Sequence, residues 1–198
     1  MPRAAPYNRD VALDAAMSLF WKKGYHATSL KDLEAALNMK PGSIYAAFSS
    51  KSNLYLLSLE RYFEANKESF ASMSTAATSP LQALSDKLRS FANLPSDDEQ
   101  AQACMLVKTL IDTRSTDTEI SERAKTYMSE LCGTFSEMFE KAKSLGELPE
   151  NTNTKRLAKR YQAAITSLRF EIHQGGSRTQ ITHLAEDLAQ EFERLRCA

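Results

Sequence analysis

The stretch from Thr28 to Lys51, TSLKDLEAALNMKPGSIYAAFSSK, leaves the chain few ways to fold. It reads as two short helices joined by a tight turn, followed by the start of another. Ser29 with Asp32 three residues later makes a capping box, Asp standing where Glu is more usual, and Thr28 is the alternative cap. Leu30, Leu33 and Leu37 form one apolar stripe; Asn38 stops the helix, and Pro41 suits the first turn of the next. Met39, Ile44 and Phe48 turn that second helix onto its neighbours. Each of the two has about seven residues, and isolated helices that short are marginal in water. They must be held by the segments on either side.

On the N-terminal side a helix starts from Asn8, with Val11, Ala15 and Leu19 at i, i+4 and i+8 and Ala12, Ala16 and Phe20 beside them. Lys22 and Lys23 suit its last turn, and Gly24 supplies the left-handed residue that ends it. Residues 1–6, with two prolines and Arg3, form a frayed arm or one that reaches a nucleic-acid groove. The C-terminal side is longer. Ser49 or Ser50 caps a helix running to about Met73, with Leu54, Leu57 and Phe63 and the further aromatics Tyr55, Tyr62 and Phe70. Beyond the linker Ser74 to Pro80, helices are predicted over about 80–93, 100–113 and 117–145, with an acidic loop from Leu94 to Glu99. The last 44 residues read as a hairpin turning at Gln174 to Ser177. Leu157, Tyr161, Ile165, Leu168 and Ile172 line one arm; Ile181, Leu184, Leu188, Phe192 and Leu195 line the other. Such stripes pack on their own domain or build a bundle with a second copy, and the heptad-like spacing favours a homodimer. No strand-like alternation and no internal repeat is visible. The expected architecture is all-α, with about nine helices: a helix-turn-helix domain over 1–50 (the motif at about 29–48) and a regulatory and dimerisation domain over 51–198.

Apolar residues make up 42% of the 198, enough for a real core. No segment approaches the ~20 apolar residues that cross a bilayer, and MPRAAPYNRD lacks a signal-peptide core, so a cytoplasmic protein without a membrane partner is expected. Net charge is zero, but residues 1–55 hold seven Lys or Arg against four Asp or Glu, and residues 56–198 hold eighteen against twenty-one. The N-terminal quarter is thus the part suited to a polyanion. Cys104, Cys132 and Cys197 are far apart, with no CxxC, and His26, His173 and His183 show no metal-ligand spacing. No phosphate loop and no catalytic constellation is present in the sequence. Neither an enzyme nor a metal or cofactor is expected.

Ala12 to Phe20 (ALDAAMSLF), Gly24-Tyr25, Thr28-Ser29-Leu30, Asp32-Leu33, Gly42, Ile44-Tyr45, Phe48 and Lys51 together resemble the TetR family of bacterial regulators. The resemblance covers about 50 residues, and the rest of the chain matches only in helix number and length. It implies a homodimer joined through the last two helices, a double-stranded DNA operator, and a C-terminal domain that binds a small inducer. Most such proteins are repressors released from DNA by that inducer.

The chemistry of the DNA-reading end is carried by the residues themselves. Gly42 has no side chain, so the backbone there can come close to a duplex. Lys40, Pro41 and Ser43 flank it at the start of the recognition helix, and Tyr45 offers a hydroxyl to phosphate. Thr28 and Ser29 can present hydroxyls and helix-start amides. Lys51, in the first turn of the next helix, is locally unfavourable unless an anion binds in front of it; otherwise it is a solvated lysine. These eight residues are the predicted DNA-binding set. Ala46 and Ala47 stand where many relatives carry Tyr or His, so shape readout gains weight.

The segment Ala103-Cys104-Met105-Leu106-Val107 resembles the Gly-Cys-Leu segment of a TetR subgroup that includes the repressors of N-ethylmaleimide reductase. On a helix Cys104 and Lys108 share a face, and an ammonium favours the reactive thiolate, whereas Asp97, Asp98 and Glu99 oppose it. Cys104 is thus either an electrophile sensor or a small buried hydrophobe. The other inducer route is a non-covalent ligand among Phe63, Phe91, Tyr127, Phe135 and Tyr161, which are otherwise core. The alternative to a regulator is a helical binding or scaffold protein without sequence-specific DNA binding.

Overall fold

The computed structural model describes residues 8–94 and 103–197. The N-terminal arm, most of the acidic loop and Asp97, Asp98 and Glu99 lie outside the described residues. Among the described residues there are nine α-helices and no strand: α1 (Arg9–Lys23), α2 (Leu30–Leu37), α3 (Pro41–Phe48), α4 (Lys51–Ala76), α5 (Pro80–Ser90), α6 (Met105–Thr113), α7 (Thr118–Ser144), α8 (Thr154–His173) and α9 (Arg178–Glu193). The predicted helix over 80–93 ends as a 3-10 turn, Phe91–Asn93. No described helix is long and apolar enough to cross a membrane.

Packing divides the chain differently from a cut at residue 50. One compact unit comprises Met1–Glu64 with Met105–Tyr127, and the other Ala65–Cys104 with Met128–Ala198. The N-terminal unit therefore includes α6 as well as the helix-turn-helix.

In this first unit α1 buries Ala12, Ala16, Phe20 and Trp21, whereas Val11 is 63% exposed. Of the two adjacent stripes read from the sequence, the alanine stripe goes inward. It lets other helices approach closely, and Phe20 and Trp21 meet Tyr55 and Tyr62 of α4 edge to face, ring centroids 4.8 Å apart in both pairs. Arg61 of α4 grips α1 from outside, pairing with Asp14 through two nitrogens and with Asp10 at 3.3 Å. Leu33, Leu37, Met39, Ile44 and Phe48 complete the core, and Leu30 is only half-buried. Each large apolar side chain so buried contributes about 1.5–3 kcal/mol, which is how the eight-residue helices α2 and α3 persist.

The second unit is built on α5, α8 and α9 with the C-terminal half of α7. Leu81, Leu84, Leu88 and Phe91 are buried as their spacing implies. Tyr161 is fully buried, meets Phe135 and Phe192 edge to face, and donates its hydroxyl to Leu84 O at 2.8 Å. Arg89 ties α5 to α9 by pairing with Glu186 (2.7 Å) and Glu193 (2.5 Å). Both carboxylates are held below their ordinary range by that hydrogen bonding, Glu186 at about 2. The stripes of the C-terminal hairpin serve this core first. Leu157, Tyr161, Leu168, Ile181 and Phe192 are buried within the unit, and Ile165, Ile172, Leu184, Leu188 and Leu195 only partly.

Candidate nucleic-acid interface

The capping box forms as its spacing predicts. Ser29 N–H donates to Asp32 Oδ2 at 2.8 Å, and Asp32 N–H donates to Ser29 Oγ at 3.2 Å. Lys23 pairs with the same carboxylate at 2.7 Å and, with the Ser29 bonds, holds it well below the usual range. Asn38 closes α2 in the left-handed conformation (φ 52°, ψ 44°), and Pro41 opens α3. Beyond α3 the chain turns sharply at Ser49 (φ 66°, ψ −51°), with Ser50 N–H donating to Phe48 O at 2.8 Å. That is a γ-turn at a non-glycine residue, a strained conformation. The Asn53 side-chain amide, donating to the same carbonyl at 2.9 Å, holds it.

These devices set the outward face of α3. Ile44 and Phe48 point into the core; Lys40, Gly42, Ser43, Tyr45 and Ala46 are exposed, and Pro41 is half-buried. Tyr45 is 43% exposed, so its ring is not chiefly core. Gly42 is the informative position. Its backbone has an ordinary helical sign of φ, and a Cβ added there meets nothing within 4 Å. The fold itself has no use for glycine at this site, although glycine costs up to ~1 kcal/mol against alanine in a helix interior. The room it leaves is on the outside. Gly42→Ala is therefore expected to leave thermal stability unchanged or slightly raised while weakening duplex binding about tenfold or more, read by melting and by fluorescence anisotropy.

Two members of the predicted set sit differently from the rest. Thr28 is fully buried, and its hydroxyl donates to Gly24 O at 2.7 Å. In this arrangement it fastens the turn after α1 and does not face outward, a correction to its expected role as a hydroxyl donor to phosphate. Lys51 begins α4 half-buried, its ammonium 4.7 Å from the centroid of Tyr25. Burial pushes its pKa down, against the pull of Asp112 and Asp32.

Behind this face lies a cluster the sequence did not announce. Asp112 of α6 accepts hydrogen bonds from Tyr25 N–H (3.1 Å) and His26 N–H (3.3 Å). Lys108, one turn earlier, donates to Trp21 O (2.5 Å) and Lys22 O (3.1 Å) at the C-terminus of α1. Thr116 meets His26 Nε2 at 2.7 Å, and buried Thr109 meets Tyr55 Oη at 2.7 Å. Burial raises the Tyr55 phenol to about 12. Gly24 is needed here for two reasons: φ is +84°, and a Cβ would lie 3.3 Å from Asp112 Oδ2. Helix α6 thus latches onto the end of α1 through one acid and one base.

The sequence profile of the bacterial regulatory proteins, tetR family, matches residues 12–57. A solved protein from Rhodococcus sp. RHA1, assigned to the TetR transcriptional regulators, is 30% identical, with 95% of this chain and 99% of that one covered and a TM-score of 0.60. The chain belongs to the TetR family. The HTH-type transcriptional repressor ComR of Escherichia coli K12 is 28% identical over 92% of this chain and 88% of its own length. Among TetR-family structures, cysteine-substituted CifR, solved with a 26-base-pair double-stranded operator, is 25% identical with a TM-score of 0.84, covering 96% of this chain and 98% of that one. This TetR-family chain is accordingly a DNA-binding transcriptional regulator.

The predicted inducer residues fall in several places. Cys104 is half-buried and directly precedes α6, whose first residue is Met105. The Lys108 ammonium is committed to α1 carbonyls. Phe63 and Tyr127 stack in the first unit, centroids 4.3 Å apart. Phe91, Phe135 and Tyr161 belong to the core of the second. All five aromatics are buried. A separate surface cleft of about 400 Å³ lies in the second unit among Pro149, Thr152, Asn153, Arg156, Leu157, Arg160 and Leu195.

Proposed function

We propose that this TetR-family protein is a homodimeric repressor that holds a near-palindromic operator with α3 of each copy. A small molecule or an electrophile acting on the second unit releases it. The observation that carries the DNA contact is the open glycine at Gly42, ringed by exposed Lys40, Ser43 and Tyr45. Lys51 and the Ser29 cap extend that face toward the phosphates. The name of ComR as a repressor and the operator bound by CifR support the direction and the ligand.

The dimer reading rests on what the C-terminal hairpin leaves outside its own core. Phe170 is 59% exposed on α8, and Leu184 and Leu188, four residues apart on α9, are only partly buried. Four such helices, two from each copy, make a bundle that covers them. Cys104 supports the electrophile route through its half-exposed position at the start of the segment leading into α6. The helix it precedes carries the latch to α1.

The expected footprint is two symmetric half-sites whose centres are one or more helical turns apart, protected by a dimer in sedimentation at the same concentration. A single asymmetric half-site bound by a monomer contradicts the proposal. Alkylating the protein before footprinting separates the signal routes. Release that persists in Cys104→Ser removes the covalent one.

A further inference from the structure

The cleft of about 400 Å³ in the second unit falls within the roughly 300–1,000 Å³ of small-molecule sites. It lies between the loop after α7, the first turns of α8 and Leu195 just beyond α9. None of the five buried aromatics read from the sequence lines it. Pro149, Leu157 and Leu195 supply an apolar wall, Thr152 a hydroxyl, and Arg156 and Arg160 two guanidiniums. Among the described residues no carboxylate lines it.

The two arginines stand four residues apart on α8, so they share a face. Arg160 is set in place by the ring of Phe192, whose centroid is 5.8 Å from the guanidinium. Its acidic neighbour Glu191, at 3.9 Å, is beyond hydrogen-bond reach and leaves the donors open. Arg156 has less support still. Among the described residues its guanidinium has no partner. It sits in the first turn of α8, where a cation opposes the helix dipole, and that turn holds no acid. The turn is already capped, because the Asn153 side chain accepts from Arg156 N–H at 2.9 Å, so the backbone there is not what awaits a ligand. Residues 155–160, KRLAKR, hold four cations and no acid. The fold gains nothing from the charge on Arg156, and yet that side chain lines the cleft.

We propose that this cleft binds a small organic phosphate, its anionic group held by Arg156 and Arg160 and its apolar body resting on Pro149, Leu157 and Leu195. The inference rests on the reading that a small molecule in the second unit controls DNA binding, and it names the chemical class of that molecule. One guanidinium, binding through two parallel N–H bonds, uses both oxygens of a carboxylate. A phosphate monoester has three terminal oxygens and a charge near −2, which serve two guanidiniums and the Thr152 hydroxyl together. A neutral molecule of the same shape gains only the apolar contacts.

The probes are phenyl phosphate and butyl phosphate, with phenol as the neutral counterpart of the first and benzoate as its carboxylate counterpart. Each is titrated calorimetrically into the full chain at constant ionic strength. Arg156→Met and Arg160→Met remove one charge each and keep an apolar stem, in the second case over Phe192. Lys159→Met removes a charge from the same helix but outside the cleft lining. The expected result is that at least one phosphate binds the wild type and that phenol and benzoate bind at least tenfold more weakly than phenyl phosphate. Each arginine variant should weaken phosphate binding at least tenfold, and Lys159→Met should change it less than twofold. Ligand-free Arg156→Met should melt no lower than wild type, because a charge opposing the dipole has been removed. If neither phosphate binds, if phenol or benzoate matches phenyl phosphate, or if both arginine variants bind phosphate as wild type does, the proposal is overturned. Equal weakening by Lys159→Met shows a diffuse basic face instead of a site, and overturns it too. Operator anisotropy on the same samples keeps the two readings apart. Phosphate binding without loss of operator affinity supports the site and removes the release mechanism. Wild type that binds no DNA while calorimetry succeeds removes the repressor reading and supports the site.

Discussion

Removing the α6 latch, by Asp112→Ala together with Lys108→Met, is expected to lower the stability of the first unit by roughly 2–4 kcal/mol. The larger part comes from Asp112. Its carboxylate accepts from two backbone amides, Tyr25 and His26, in the turn that connects α1 to the helix-turn-helix. Hydrogen bonds to a charged acceptor are worth about 1.5–3 kcal/mol, and part exposure places this pair toward the lower end. Lys108 adds a cation at the C-terminus of α1, where it meets two orphan carbonyls; such placements are worth about 0.3–1 kcal/mol, more when partly buried. Methionine keeps the apolar stem and removes only the charge. For a chain of 198 residues the sum corresponds to a melting point lower by roughly 4–16 °C. The functional result is more specific. If the signal reaches the DNA face through α6, the unlatched protein binds operator but no longer releases it in response to that signal. Melting within a degree of wild type, or full release by the signal, contradicts the latch.

The legible parts of this molecule are those fixed within a few residues. The Ser29–Asp32 box, the stop at Asn38, the start at Pro41 and the end of α1 at Gly24 need only local spacing, and all four form as read. Stripe choice on α1 is different, because Val11 and Ala12 belong to neighbouring stripes of the same period. Only the partners, Tyr55 and Tyr62 against Phe20 and Trp21, decide which stripe is buried. Thr28 is legible as a cap-region residue but not as a buried one, since that depends on the turn folding back onto α1. The latch is the least legible, for Asp112 lies 87 residues from Tyr25. A faint sign exists: Lys108, Asp112 and Thr116 fall at i, i+4 and i+8, a polar line through an otherwise apolar segment. A polar line that regular asks for a partner, but it does not say which one. The C-terminal stripes misdirect in the opposite way. They look like a dimer seam, yet half of their residues fill the core of their own unit.

Lys40→Ala with Lys51→Ala is expected to reduce operator affinity by about tenfold per lysine at moderate salt. Lys40 is exposed at the cap of α3. Lys51 is held over Tyr25 at the start of α4, so its position is set in advance by the ring. Its cation–π interaction with that ring is worth only about 0.5–1 kcal/mol, so the double variant stays folded with a melting point close to wild type. Phosphate contacts carry no sequence information, so the weakening falls equally on operator and random duplex. Gly42→Ala differs from this pair, because it blocks approach rather than removing charge.

The proposed contact is between the Lys40–Lys51 face and the DNA backbone. Its most direct test is the slope of log affinity against log salt for operator duplex, measured for wild type and for the double variant. Each phosphate contact contributes about 0.9 to that slope, so the double variant is expected to be shallower by about two. An unchanged slope with unchanged affinity would show that these lysines do not touch the duplex, and the interface would have to lie elsewhere.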